Sequence, residues 1–132
     1  MGIEEEILNS SKTVAVVGLS PRMERPSFAV ASYLKEHGFR IIPVNPTAEE
    51  ILGERSYPDL SSIPGRVDVV DIFRRSEEVL PIVEEAIKIG AKSIWMQEGV
   101  VNEEAAGRAR DAGLLVIMDR CMLKEHRRLK QR

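Results

Sequence analysis

Along the chain, short runs of almost unbroken apolar residues alternate with longer stretches in which apolar side chains recur every three or four positions. The apolar runs are 13–18 (TVAVVG), 40–45 (RIIPVN), 67–73 (VDVVDIF), 93–97 (SIWMQ) and 114–119 (LLVIMD). Their shortness and β-branched content predict strands, and their continuity predicts strands covered on both faces. Between them, 27–38 (SFAVASYLKEHG) sets Phe28, Val30, Ala31 and Leu34 at helical spacing, with Pro26 or Ser27 suited to the start and Gly38 to the end. The stretch 76–90 offers Ser76 as N-cap, glutamates in the first turn and Gly90 as terminator, while Pro81 predicts that this helix starts late or bends. In 102–113, Asn102 caps and Gly113 stops, and the basic 121–132 reads as a terminal helix.

Strands that alternate with helices of this length form βαβ units, whose right-handed crossovers place helices on both faces of a parallel sheet. The expected architecture is α/β: a single Rossmann-like, doubly wound domain over residues 1–132, with a mostly parallel five-stranded sheet. The long Pro-, Gly- and Ser-rich linker after the second strand is expected to hold one helical turn around Ala48 to Leu52.

With 132 residues, a single core buries roughly two-thirds of the unfolded surface and needs no metal or disulfide staple. A hydrophobic fraction of 43% and a net charge of −2 give no sign of polyanion binding, so nucleic acid is not an expected partner. The one cysteine, Cys121, forms no intrachain disulfide, and with only two histidines neither a cysteine-based nor a histidine-rich metal site is expected. This composition suits a reducing cytoplasm. The acidic N-terminus does not read as a signal peptide, and no apolar run approaches the ~20 residues of a membrane span.

Ligands of open parallel sheets bind beyond the carboxyl ends of the strands. The first such turn is the strongest candidate. Gly18 permits a tight turn beside a ligand, Ser20 and Ser27 carry hydroxyls, Arg22 and Arg25 can reach a phosphate, and a helix N-terminus follows. The same residues also suit a simple helix cap with solvated arginines. A dinucleotide would call for G-x-G-x-x-G, yet no glycine separates Gly18 from Gly38, and Asn45 stands where an acidic residue would hold the ribose of NAD. Pro43, Val44 and Pro46 give a rigid apolar surface on which an adenine can lie, or a plain turn fixed by Asn-Pro. Phe73 and Arg74 at the third loop, and Gln97 and Gly99 at the fourth, complete the edge, where each also has an ordinary role in packing or turning the chain.

Taken together, VVGLS…RPSFAV, GFRIIPVNP, ILGERSYPDL, VDVVDIFRRSEEV, AKSIWMQEGVVNEEAA and AGLLVIMDRCMLKEH resemble the small coenzyme A-binding proteins, which are similar to the coenzyme A-binding domain of the succinyl-CoA synthetase α-subunit. The resemblance runs from about Lys12 to His126. It implies a Rossmann-type fold with the nucleotide near Gly18, Ser20, Arg25 and Ser27, and Val44, Asn45 and Pro46 on the adenine side. From their places at the sheet edge in that reading, Phe73 and Arg74 would close over the ligand, and Gln97 with Gly99 would border the pantetheine path. The part of the synthetase that carries a phosphohistidine has no counterpart in this sequence, and neither His37 nor His126 reads as catalytic. Cys121 either places a thiol at a helix N-terminus near the thiol of coenzyme A or is a small buried packing residue.

The expectation is therefore a cytoplasmic, non-catalytic module for coenzyme A or acyl-CoA, with no metal. One rival is an NAD(P)-binding enzyme or redox sensor. The other is a regulatory or structural subunit whose nucleotide site is vestigial.

Overall fold

The structure, a computed structural model, describes residues 2–131. The element order is α1 (Ile3–Ser10), β1 (Thr13–Val17), α2 (Pro26–Glu36), β2 (Arg40–Val44), β3 (Glu50–Ile51), β4 (Glu54–Arg55), β5 (Val69–Ile72), α3 (Val79–Lys88), β6 (Ser93–Met96), α4 (Glu103–Asp111), β7 (Leu115–Ile117) and α5 (Met122–Lys130), with short 3-10 turns at Leu60–Ser62 and Ser76–Glu78. The main sheet has five parallel strands in the order β2-β1-β5-β6-β7. The expected α/β, Rossmann-like, doubly wound domain is thus the observed one. The chain leaves β1 for β2 on one side and later returns to add β5 on the other, so the order reverses between β1 and β5.

Two apolar layers sandwich the sheet, as the continuous apolar runs require. Val14, Val16, Ile41, Val69, Trp95 and Ile117 face α1, α2 and α5, where Ile7, Val30, Leu34 and Met122 meet them. Ala15, Val17, Ile42, Val70, Ile72, Ile94 and Met96 face α3, α4 and the first 3-10 turn through Val79, Val83, Ala105 and Leu60. At the amino edge, Asp68 accepts the N–H groups of Lys12 at 2.9 Å and Thr13 at 3.0 Å, pinning the entry to β1. Desolvation pushes the Asp68 carboxyl up, but these two N–H bonds, with Lys92 and Arg66 nearby, hold it below its ordinary value.

Two local readings are corrected. The linker carries no helical turn around Ala48 to Leu52; Glu50 and Ile51 pair antiparallel with Arg55 and Glu54, and the two-residue turn has positive φ at Leu52 (57°) and Gly53 (73°). Such a pair of angles builds the tight hairpin turn whose twist matches its strands. The same linker shields the open edge of β2, since Tyr57 N–H donates to Pro43 O at 3.0 Å and Asn45 N–H to Tyr57 O at 2.9 Å. Ser76 does not cap α3. Its hydroxyl accepts Val101 N–H at 2.9 Å instead, and α3 begins late at Val79. Pro81 therefore falls in the first turn of α3, where its missing N–H costs nothing. The N-terminal segment also forms a helix, α1, which buries Ile7 and Leu8. Asn102 does cap α4, accepting Ala105 N–H at 2.9 Å.

Candidate functional site

The site is built around Gly18, where β1 ends at the strand-order switch. Its φ is +87°, and a Cβ there would lie 2.4 Å from Phe73 O, so only glycine fits. Gly18 N–H donates to Val44 O at 3.0 Å and Phe73 N–H to Val17 O at 2.9 Å, which brings the ends of β2, β1 and β5 together. The turn that follows folds on itself. Ser20 N–H donates to Ser27 Oγ at 3.0 Å, and Arg22 N–H donates to Ser20 Oγ at 3.1 Å. Ser27 is buried and occupies the second position of α2, so it braces the turn from inside the helix; Arg25 holds the N-cap position without a side-chain cap.

Three hollows adjoin at Gly18. A hollow of about 350 Å³ gathers Gly18, Ser20, Arg22, Arg25, Ser27 and Phe73. A cleft of about 670 Å³ is lined by Gly18, Pro26, Val30, Phe73, Arg74 and Gln97, with Glu98 and Cys121 on its far wall. On the other side of the sheet edge, a groove of about 500 Å³ runs from Gly18 past Val44 and Pro46 to Arg74. The two arginines of the first hollow differ. Arg22 pairs with Glu24 at 3.0 Å, whereas Arg25 has no ion pair among the described residues, so its charge is open to an anion at the positive end of α2.

Other expected site residues are already committed within the protein. Asn45 donates Nδ2–H to Leu19 O at 2.9 Å, while its Oδ1 accepts Thr47 N–H at 2.8 Å and Ala48 N–H at 3.1 Å, so its carboxamide shapes the turn. Arg74 donates to Glu78 at 2.9 Å and holds that carboxyl below its ordinary value. Gln97 is buried, and its Oε1 accepts Met122 N–H at 3.1 Å, capping α5 and leaving the Nε2 donors for a ligand. Gly99 lines none of the three hollows; its N–H is taken by Asp119 Oδ1 at 2.8 Å, and its neighbours Glu98 and Val100 line the cleft instead. Cys121 stands in the N-cap position of α5 and is 7% exposed. Val30 and Glu98 are wall residues that the sequence did not single out. Val30 bears the helical spacing of any core residue, and Glu98 shows no local signal.

The two histidines meet away from the cleft, between α2 and α5. Tyr33 Oη and His126 Nδ1 are 2.9 Å apart, and the His37 and His126 rings are 5.3 Å apart. Burial, with His37 and Lys130 beside it, lowers the His126 pKa. Among the described residues no cluster of three or more metal-ligating side chains occurs, and no helix is long and apolar enough to cross a membrane.

A switch-point glycine shared by a basic hollow and a cleft of mixed apolar and charged walls matches the resemblance read from the sequence, and the comparison with known proteins decides the family. A family model described as "CoA binding domain" matches residues 12–127. The chain belongs to the CoA-binding domain family. It is 44% identical over 122 residues to the uncharacterized protein YneT of Bacillus subtilis, covering 92% of this chain and 90% of that protein. It is 35% identical over 95 residues to the ADP-forming acetate–CoA ligase II of Archaeoglobus fulgidus, where the match covers 70% of this chain but 14% of the ligase. A solved structure of a hypothetical protein from Pyrococcus horikoshii superposes with a TM-score of 0.94 at 43% identity, covering 98% of this chain and 93% of that one. The member of the CoA-binding domain family described here is thus similar to a small protein over nearly its whole length, and to only a short part of a ligase.

Proposed function

We propose that the protein binds coenzyme A or an acyl-CoA at the carboxyl edge of its sheet and catalyses no reaction of its own. The observation that carries this reading is that three hollows share Gly18 in their walls, because the ligand has three chemically distinct parts that must be held at once. The diphosphate sits in the hollow of Ser20, Arg25 and Ser27, where the open guanidinium and the start of α2 offer charge-assisted donors. The adenine lies along Val44 and Pro46, with Asn45 shaping their turn through Leu19 O, and Phe73 from the cleft with Arg74 closes over the nucleotide. The pantetheine arm follows the cleft past Gln97, and Gly99, outside the lining, turns the chain between the wall residues Glu98 and Val100.

An NAD(P) reading is weaker on these residues: the second and third glycines are missing, and the Asn45 carboxamide, spent on Leu19, Thr47 and Ala48, is not free for a ribose diol. No Ser/His/Asp or Cys/His arrangement lines the cleft among the described residues, and we take any chemistry to be a partner's. With a single cysteine, the protein is assigned to a reducing cytoplasm.

Calorimetry of the purified protein with coenzyme A, acetyl-CoA, NAD and ATP tests the reading. Saturable binding of coenzyme A is expected, and Arg25→Ala should weaken it about tenfold, or ~1.4 kcal/mol. Tight NAD binding with none of coenzyme A overturns the proposal in favour of an NAD(P) protein. Absence of binding to all four overturns it in favour of a subunit with a vestigial site.

A further inference from the structure

Asp71, in the middle of the sheet, has no role in anything described so far. It is completely buried, and neither Oδ1 nor Oδ2 meets a hydrogen-bond partner among the described residues. Buried polar groups without partners are scarce in folded proteins, and each calls for an explanation. Burial pushes this carboxyl well above its ordinary range, so it rests as a neutral acid carrying one O–H donor.

Its place in the register is informative. Asp71 pairs with Val16 of β1 and Trp95 of β6, and alternation along β5 puts it on the same face as Val69, towards α2 and α5. Two residues on from each of these three, just past the ends of β1, β5 and β6, stand Gly18, Phe73 and Gln97, and all three line the cleft. The lone acid therefore lies one row beneath the cleft floor. In its own column the cover is the half-buried ring of Phe73, and in the next column it is Gly18, packed against Phe73 O.

We propose that Asp71 is a concealed ligand contact: when the Phe73 ring turns aside, its O–H donates a hydrogen bond to a carbonyl oxygen of the bound molecule. A carbonyl fits this place better than a phosphate, because a charged group would lose its hydration in an apolar row that offers no cation. On the coenzyme A reading, on which this inference rests, that carbonyl is either an amide of the pantetheine arm or the thioester carbonyl of an acyl group.

The test combines infrared spectroscopy of the wild-type protein with calorimetry of D71N and D71L. The C=O stretch of the protonated carboxyl, identified by its absence in D71N, should shift to lower frequency when coenzyme A or acetyl-CoA is added. D71L removes a lone buried acid, so its melting temperature without ligand should rise while its affinity falls about tenfold; D71N, which can still donate, should stay within a few-fold of wild type. Equal loss for both ligands identifies the pantetheine amide, and loss for acetyl-CoA alone identifies the thioester. A band that does not move, or D71L binding both ligands as tightly as wild type, overturns the inference while leaving the coenzyme A reading intact. A wild-type protein that binds neither ligand overturns both.

Discussion

On the β1 side of the carboxyl edge, the turn from Gly18 to Ser27 keeps its charged ends in water, with the Arg22 and Glu24 side chains 66% and 65% exposed. On the β6–β7 side, each loop is tied to a neighbour through a side chain. Gln97 caps Met122, Asp119 holds Gly99 N–H, Trp95 Nε1–H donates to Arg120 O at 3.0 Å, and Ser76 and Asn102 bind the β5 and β6 loops together. On the proposed coenzyme A reading, the contrast suits what each side would have to meet. A phosphate keeps much of its hydration and needs open cations and N–H groups, whereas a slender uncharged arm gains most from a wall whose groups are already fixed.

Breaking the hinge between the two sides should have the largest effect. Gly18→Ala drives a Cβ into Phe73 O at a φ of +87°, and denaturant unfolding should show a loss of about 3–5 kcal/mol together with loss of ligand binding. Asp68→Ala, at the opposite edge of the sheet, should cost about 2–3 kcal/mol by orphaning two backbone N–H groups, yet leave ligand affinity unchanged. Because the folded-state pKa of Asp68 lies below its unfolded value near 3.8, its stabilisation is present above that value and is lost as pH falls through the folded pKa. Acid unfolding curves of wild type and Asp68→Ala should therefore converge at low pH.

Gln97→Leu removes the acceptor of a buried N–H on the braced side and should lower stability by about 1–2 kcal/mol, with a measurable fall in affinity for coenzyme A. Smallest is Arg22→Ala on the open side. Stability should change by no more than about 0.5 kcal/mol, and affinity should fall less than in Arg25→Ala, since Glu24 already answers much of the Arg22 charge. If Arg22→Ala destabilises as much as Gln97→Leu, the contrast between an open and a braced side does not hold.

Much of the architecture was legible because its signals are local. The five apolar runs became the five strands of the sheet, Asn102 capped its helix, and Gly18, Ser20, Arg25, Ser27 and Phe73 came together as their positions at strand ends required. The misreadings share one cause. Ser76 looked like a cap for its own helix, but its hydroxyl is claimed by Val101, 25 residues away. Ala48 to Leu52 looked helical from composition, yet pairing between Glu50 and Arg55 and between Ile51 and Glu54 won.

The sequence by itself determined the alternation of strands and helices, the faces they bury and the switch-point glycine, because periodicity, capping and the steric freedom of glycine act within a few residues of the chain. Only the tertiary structure decided how each polar side chain is spent. Asn45 and Gln97 carry carboxamides that would suit a ligand, and packing turned both inward to backbone groups 26 and 25 residues distant. Asp71 reads as one polar break in an apolar strand, and only the register of three strands puts it, unpartnered, beneath the cleft. A hydrogen bond is short-ranged in space but indifferent to separation along the chain, so its partner is decided when the sheet assembles.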